Sequence, residues 1–240
     1  MKNFCSRRVL VTGGAIRVGA VIARAFADAG ATVIVHCRRS RKEAEELLAS
    51  FPGTGHQIVC GDLTEAGVPE RIIAESLPDI LINNASAYVR ASFRSESHEA
   101  VQEMLKINFL APLAMMKAFA ASVSENISDP VIINMVDQAI SGSMPGGFGY
   151  LASKKALADA TETAAAEYAP RIRVNAVAPG PVMAPPGLEH LKMQTTLQKV
   201  PLGRPVPPED IAQSILFLAA CSSVTGTILY VDGGQHLNIK

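Results

Sequence analysis

Short apolar segments alternate with segments of helical period along almost the whole sequence. Strands are predicted at residues 8–12, 31–37, 57–60, 80–82, 131–136, 173–177 and 227–231, which are apolar and rich in β-branched side chains. Helices are predicted between them, notably at residues 17–29, 41–50, 99–123, 150–168 and 209–220. Apolar strands that alternate with helices are typical of a parallel sheet covered on both faces. The pattern therefore predicts an α/β fold with one Rossmann-like, doubly wound parallel sheet and helices on both faces.

Two residues mark the predicted ends of helices. Gly30 follows the first helix, where a left-handed glycine commonly ends a helix. Ser40 precedes the second helix, and its hydroxyl is expected to cap that helix.

Length and charge limit the partners that this chain would have. Its 240 residues fit one domain, predicted to span residues 1–240. Lys and Arg total 22, as do Asp and Glu, so electrostatics gives no reason to expect nucleic acid or a membrane as partner. The N-terminal apolar run is too short for a secretory signal, and no segment resembles a membrane span. The four cysteines form no CxxC pair, so we expect no metal site and a cytoplasmic location.

The first predicted strand runs into a glycine-rich turn at residues 12–19. Backbone N–H groups in such a turn can approach a diphosphate, and the N-terminus of the next helix adds partial positive charge. Arg17 lies in this turn, where a cation is unfavourable unless an anionic ligand is present. The turn is therefore predicted to bind a dinucleotide. Its spacing is not G-x-G-x-x-G, so a purely structural turn is the alternative.

The second predicted strand ends in a basic run that bears on the choice of cofactor. NAD-binding sites usually place an acidic residue here to hold the ribose 2′-hydroxyl. This sequence has Arg38, Arg39 and Ser40 instead, and these side chains offer donors for a 2′-phosphate. NADPH or NADP+ is therefore predicted over NAD. A basic helix start exposed to solvent is the alternative.

Tyr150 and Lys154 stand four residues apart at the start of a predicted helix. Residues at this spacing share one helix face, so the phenol and the ammonium group project together. A nearby cation lowers the pKa of a phenol, which helps it to transfer a proton to a carbonyl or imine. The pair is predicted to be catalytic because it follows both the glycine-rich turn and a later strand; by itself a Y-x-x-x-K pattern is common.

Taken together, these motifs make the sequence resemble the short-chain dehydrogenase/reductase family. The matching segments occur in family order: residues 12–19, Asp62 with Leu63, residues 83–85, Asn108, Tyr150 with Lys154, residues 173–175, Pro179 with Gly180, and residues 231–234. The resemblance implies an oxidoreductase with a small-molecule substrate. It also implies cofactor contacts from Gly13, Arg17, Val18, Gly19, Asp62, Leu63, Asn84, Ala85, Ser86, Tyr150, Lys154, Pro179, Gly180 and Val182. Lys154 would hold the nicotinamide ribose, and Asn108 would shape a proton relay through water.

One position departs from the family pattern. The family usually has a serine twelve or thirteen residues before its tyrosine, and this sequence has Gln138 and Asp137 there. With Asp137 at this position, the sequence resembles the pteridine reductase branch of the family. It resembles that branch also in Arg17 of the turn, in the basic run and in the residues after Asn84. The resemblance implies a pterin-like substrate contacted by Arg17, Ser86, Tyr88, Asp137 and Tyr150. Tyr88 would stack on the ring, and Asp137 would accept hydrogen bonds from it and supply protons through Tyr150.

Two other functions remain open. A carbonyl reductase, for example of a 3-oxoacyl thioester, would use the hydroxyl of Ser141 or Ser143 in place of the missing serine. A non-catalytic NADP-binding regulator would keep the fold without turnover. The family resemblance and the alanine-rich helices, including residues 164–166, also predict a homotetramer. The Pro-rich stretch at about 181–208 is predicted to be the substrate loop, with a possible helix at 188–197.

Overall fold

The computed structural model describes residues 4–124, 126–183 and 197–237. Seven strands form one parallel sheet in the order β3-β2-β1-β4-β5-β6-β7. The strands are β1 (Arg8–Val11), β2 (Thr32–Cys37), β3 (Gln57–Cys60), β4 (Ile80–Asn83), β5 (Val131–Met135), β6 (Arg173–Pro179) and β7 (Ile228–Val231). Strands β2 and β3 lie on one side of β1, and the strands from β4 onward lie on the other side. The carboxyl ends of β1 and β4 therefore border a crevice suited to a ligand.

Helices cover both faces of the sheet, as predicted. They are α1 (Arg17–Asp28), α2 (Arg41–Ala49), α3 (Val68–Ser76), α4 (His98–Leu105), α5 (Ala111–Ser122), α6 (Phe148–Tyr168) and α7 (Pro208–Ala220). Buried side chains form one apolar cluster on each face, around Phe26 on one side and Phe119 on the other. The central strands alternate between these clusters along their length. This two-sided burial explains why their sequences are apolar throughout.

The predicted helix ends were right at one position and wrong at another. Gly30 has a φ of 90° just beyond α1, the left-handed conformation that glycine adopts most easily. Ser40 stands at the N-terminus of α2, but its side chain makes no capping hydrogen bond. Its backbone angles, φ −84° and ψ 51°, differ from the extended conformation typical of a capping residue.

The long helix predicted at 99–123 is interrupted. A π-helical turn, Lys106–Leu110, separates α4 from α5 and contains Asn108, which is fully buried. Such turns occur often at functional sites. The stretch His98–Ser122 is long and apolar enough to cross a membrane by length and composition, but soluble core helices pass the same test. Met115 and Phe119 are fully buried against the sheet, which accounts for its apolar character.

Candidate active site

The strands β1 to β4 end at a cleft of about 440 Å³. Most of the predicted cofactor residues line it. They are Gly13, Arg17, Val18, Gly19, Arg38, Arg39, Ser40, Asp62, Leu63, Asn84, Ala85 and Ser86. These residues come from four separate loops, and parallel strand order brings them together because the loops share one edge of the sheet. Pro179 and Gly180 lie at the carboxyl end of β6, and Val182 packs on the core just after it.

The glycines of the first turn are required by close backbone contacts. A Cβ on Gly19 would lie 2.2 Å from the carbonyl oxygen of Gly13 and 2.6 Å from Nδ2 of Asn84. Gly13 has a φ of 60° and packs against Ala85. Asn84 donates to the carbonyls of Thr12 and Gly13 at 2.9 and 3.1 Å. The turn is thus held tightly against the loop after β4.

Arg17 adopts a conformation that normally belongs to glycine. Its φ is 53°, in the left-handed region, although it begins α1. A non-glycine residue in this region costs roughly 1–2 kcal/mol. Its guanidinium group lies 3.5 Å from the carbonyl oxygen of Met183, at the edge of the cleft. The chain therefore has a large cationic side chain at a strained position in the glycine-rich turn.

Arg38 and Asp62 form an ion pair across the mouth of the cleft. Arg38 Nη1 lies 3.1 Å from Asp62 Oδ2, and both side chains are partly exposed. The pKa of Asp62 is lowered, first by the backbone N–H of Thr64 and also by Arg38. The pair connects the loop after β2 with the loop after β3, the two segments predicted to bind the 2′-phosphate and the adenine.

His36 is a residue at this cleft for which the sequence predicted no role. Its Nδ1 accepts a hydrogen bond from the backbone N–H of Gly13 at 3.2 Å, and its Nε2 lies 3.0 Å from the carbonyl oxygen of Gly61. Only the neutral tautomer with a proton on Nε2 satisfies both contacts. Burial lowers the pKa of His36, which favours that neutral form. A polar residue inside the apolar run of β2 was the available signal.

Tyr150 and Asp137 are in direct contact. The phenol donates to Oδ2 of Asp137 at 2.8 Å, while Oδ1 of the same carboxyl accepts from the backbone N–H of Ala139 at 2.8 Å. Burial, reinforced by the charge on Asp137, raises the pKa of Tyr150 well above its usual value. Burial also raises the pKa of Asp137. The expected lowering of the Tyr150 pKa by Lys154 was therefore wrong, because burial and the carboxylate act in the opposite direction.

Lys154 lies on the face of α6 that carries Tyr150, as predicted. Its Nζ donates to the carbonyl oxygen of Met135 at 2.7 Å and lies 5.8 Å from the centroid of the Tyr150 ring. Burial lowers the pKa of Lys154 to about 8, although the Asp137 charge opposes that shift. The phenol, the carboxyl and the ammonium group thus form one cluster of titratable side chains.

Asn108 holds the loop that follows β4. Its Oδ1 accepts from the Ser86 hydroxyl at 2.9 Å and from the Ala87 N–H at 2.8 Å. Its Nδ2 donates to the Ala87 carbonyl at 2.9 Å and to the Ser153 hydroxyl at 3.2 Å. The side chain therefore has a positioning role in this structure. A water relay shaped by Asn108 stays a prediction.

Tyr88 lies against Tyr150 at the open end of the site. The two ring centroids are 5.0 Å apart and the rings are perpendicular. Tyr88 is 44% exposed. Ser141 is differently placed, since its hydroxyl donates to the carbonyls of Gln138 and His236 at 2.9 and 3.3 Å. The group that contacts the Tyr150 hydroxyl is thus Asp137.

Comparisons with known proteins agree with this arrangement. A family model described as enoyl-(acyl carrier protein) reductase matches residues 14–236. Glucose 1-dehydrogenase of Gluconobacter oxydans is 33% identical, covering 98% of this chain and 94% of that protein. A solved short chain dehydrogenase from Bacillus anthracis is 30% identical over 98% of each chain, with a TM-score of 0.87.

A further solved structure lies nearer in shape. FolM alternative dihydrofolate reductase 1 from Brucella canis, complexed with NADP, superposes with a TM-score of 0.92. The two chains are 29% identical over 99% of this chain and 97% of that one. The sheet order, the glycine turn, the Tyr150–Lys154 pair and these matches lead to one conclusion: the chain belongs to the short-chain dehydrogenase/reductase family of oxidoreductases.

Proposed function

We propose that this protein is an NADPH-dependent reductase of a pteridine ring, such as a dihydropterin or a dihydrofolate-like compound. The observation that carries the proposal is the partly buried hydrogen bond from Tyr150 to Asp137. A carboxyl group here can hold a proton for the phenol and can accept hydrogen bonds from ring N–H groups. The similarity to FolM, named as an alternative dihydrofolate reductase, supports the same substrate class.

The cofactor proposal rests on the lining of the cleft. Gly13, Val18 and Gly19 would receive the diphosphate on backbone N–H groups at the start of α1. Arg39 and Ser40, with Arg38, would receive the 2′-phosphate, and no acidic residue ends β2. Asp62 and Leu63 would contact the adenine. The NADP complex of FolM supports this assignment.

The proposed mechanism assigns proton handling to three side chains. The chemistry that NADPH would supply, when bound in the cleft, is a hydride for a ring C=N carbon. Tyr150, kept protonated by its raised pKa, donates its proton to the adjacent ring nitrogen. Asp137, whose raised pKa favours its protonated form, would return a proton to the phenolate through their 2.8 Å hydrogen bond and would itself be reprotonated from solvent. Lys154 would hold the nicotinamide ribose, and its ammonium charge would stabilise the phenolate formed in the transfer.

The ring would enter beside Tyr88, which is 44% exposed. We propose that Tyr88 stacks on the pterin, that Asp137 accepts from its N–H groups, and that Arg17 and Ser86 contact its polar edge. The substrate loop is proposed at about 181–208. Residues 184–196 of it, and most of the helix considered at 188–197, lie outside the described residues.

Replacing Asp137 with asparagine tests this function. Asparagine keeps an acceptor for the Ala139 N–H but cannot supply a proton to Tyr150. We expect kcat/KM for dihydrobiopterin or dihydrofolate to fall by about 100-fold, the typical effect of losing a general acid. NADPH oxidation is measured with these pterins beside simple ketones and a 3-oxoacyl thioester. Turnover of the ketones alone by the unaltered protein would remove the pterin proposal.

The assay with ketones also tests the second candidate function, a carbonyl reductase. The glucose dehydrogenase relative favours a carbonyl reductase, whereas the hydrogen bonds of Ser141 to backbone carbonyls disfavour its use as the substitute hydroxyl. Ser141→Ala serves as the control. Pterin turnover should stay within about twofold in this variant, since surface substitutions of this kind usually have small effects. A large loss of ketone turnover in Ser141→Ala would favour the carbonyl reductase.

The strained Arg17 gives opposite expectations for stability and activity. Arg17→Gly relieves the left-handed strain, so we expect the free energy of unfolding to rise by about 1 kcal/mol. The same change removes the cation beside the phosphate turn, and kcat/KM should fall by about tenfold or more. Thermal unfolding and steady-state kinetics measure the two effects. A fall in both quantities would mean that Arg17 serves the fold rather than the ligand.

The lysine gives a pH-dependent prediction. Lys154 with a pKa of about 8 loses its charge as the pH rises through that value. A neutral amine no longer stabilises the phenolate, so kcat/KM should fall about tenfold per pH unit above it. A pH profile of kcat/KM with a pterin and NADPH measures this decrease. A flat profile through that region would contradict the assigned role of Lys154.

We also retain a homotetramer and a cytoplasmic location as proposals. Ala164 and Ala165 are buried in the apolar core of one chain, so they are unsuited to pack between subunits. Exposed apolar side chains such as Leu110, Phe148 and Phe217 are better candidates for such contacts. Light scattering measures the molar mass in solution, and a value equal to one 25.4 kDa chain would exclude the homotetramer. The location is supported by the four cysteines, which form no disulfide in the described structure.

A further inference from the structure

Two cysteines face each other on neighbouring strands beside the cofactor cleft. Cys37 ends β2, Cys60 ends β3, and they are direct register partners. Their Sγ atoms are 3.5 Å apart. Neighbouring strands lie about 4.8 Å apart, which falls within the Cα separation that a disulfide accepts. We propose that Cys37 and Cys60 form a reversible dithiol–disulfide site that controls NADPH binding, a regulation that rests on the proposed function.

The two thiols differ in a way that assigns their order of reaction. Cys60 is partly exposed, and Arg41 Nη1 lies 3.8 Å from its sulfur. A small disulfide in solution can reach a partly exposed sulfur, and access of this kind helps to decide which thiol reacts first. Cys37 is 3% exposed, and burial raises its pKa to about 12. Cys60 is therefore the thiol that attacks first, and Cys37 is the thiol that completes the bridge.

A small disulfide, such as oxidised glutathione, is the oxidant for this exchange. The Cys60 thiolate attacks one sulfur of the small disulfide, its S–S bond breaks, and one small thiolate leaves. Cys37, as its thiolate, then attacks the Cys60 sulfur and displaces the second small thiolate. The two protons lost by the cysteines end on the two small thiols. The protein pair is oxidised by two electrons, and the small disulfide is reduced by the same two.

Closing the bridge would change the geometry of the cleft. The sulfur atoms must approach from 3.5 Å to a bond of about 2.05 Å. The residues on either side of the bridge are those proposed to bind the cofactor: Arg38, Arg39 and Ser40 follow Cys37, while Gly61 and Asp62 follow Cys60. The two segments are already joined by a hydrogen bond from the Gly61 N–H to the Cys37 carbonyl. Drawing the sulfurs together shifts both segments, and we expect the disulfide form to bind NADPH about tenfold more weakly, a typical coupling between sites.

Linkage requires the reciprocal effect. If NADPH binds the dithiol form tenfold more tightly, saturating NADPH must favour the dithiol by the same factor. For a two-electron couple, a tenfold factor raises the midpoint potential by about 30 mV. Bound NADPH should therefore protect the pair from oxidation.

The experiment equilibrates the purified protein in glutathione buffers of graded ratio, with and without NADPH. Free thiols are then trapped, and peptide mass spectrometry measures the fraction that carries a Cys37–Cys60 bridge. NADPH affinity is measured by fluorescence titration on the fully reduced and the bridged protein. The double variant Cys5→Ser with Cys221→Ser is the control that retains the proposed pair. It should bridge as the unaltered protein does, whereas Cys60→Ser should lose both the bridge and the oxidant-dependent loss of affinity.

Two outcomes would overturn the proposal. One is the absence of the Cys37–Cys60 bridge at every glutathione ratio in protein that binds NADPH normally. The other is a bridge that forms but leaves NADPH affinity unchanged. Neither readout uses pterin turnover, so failure of the pteridine substrate is distinguishable from failure of this inference. Failure of the reduced protein to bind NADPH would instead contradict the proposed function.

Discussion

Replacing Tyr150 with phenylalanine is expected to lower kcat/KM for a dihydropterin by about 1,000-fold, within the usual contribution of a general acid. The variant keeps the ring and its edge contact with Tyr88, and it loses only the hydroxyl that donates to Asp137. NADPH affinity should stay within about twofold, because the lining of the cofactor cleft is unchanged. Steady-state kinetics and fluorescence titration measure the two quantities.

Tyr88→Phe provides the matched control for this loss. It also removes a phenolic hydroxyl from the site, but from a ring that is proposed to stack and not to transfer a proton. We expect its kcat/KM to fall by less than about tenfold, since phenylalanine retains the stacking face. Equal losses in the two variants would argue against Tyr150 as proton donor. Loss of turnover with NADPH binding retained in Tyr150→Phe would also exclude the non-catalytic regulator.

Gly19→Ala should abolish cofactor binding at working concentrations. Its Cβ would lie 2.2 Å from the Gly13 carbonyl oxygen, so the turn has to move away from the start of α1. Overpacking of this kind costs about 1–3 kcal/mol of stability. Because the moved backbone is the part proposed to bind the diphosphate, we expect NADPH affinity to fall by about 100-fold.

Gly67→Ala separates a local effect from a general loss of stability. Gly67 has a φ of 80°, and a Cβ there would meet no atom within 4 Å, so the change adds backbone strain without a clash. It lies outside the cleft lining and should lower stability by about 1 kcal/mol, with NADPH affinity unchanged. Chemical denaturation and fluorescence titration are applied to both variants. If both lose the same affinity, the loss reflects general instability.

Much of the fold was predictable because its determinants are local. The predicted β3 matches its observed bounds, and the apolar runs of β4 and β5 were found because burial on both faces requires them. The π-helical turn around Asn108 was not predicted, because an inserted residue leaves the helical period on either side nearly unchanged. The capping hydrogen bond predicted for Ser40 was wrong for a similar reason, since capping depends on backbone angles that residue type does not determine.

The predicted site residues lie close together, as expected from the order of the strands. Asp137 meets Tyr150 because the end of β5 and the start of α6 lie side by side. The predicted direction of the Tyr150 pKa shift was wrong, because the shift depends on burial and on the charge of the neighbouring Asp137, whose combined effect spacing does not reveal. His36 was missed for a related reason: its role depends on Gly13 and Gly61, two backbone groups distant in sequence.

The hydrogen bonds of Asn108 have a consequence for how the site selects its ligand. They fix the segment that carries Tyr88 before any substrate arrives, while Asp137 and Tyr150 already hold each other in place. If the proposed pterin binds between these parts, it meets groups that need little reordering, so little binding free energy is lost to immobilising the protein. Discrimination among heterocycles would then follow from shape and donor pattern, and a longer or shorter segment before Tyr88 would change which rings are accepted.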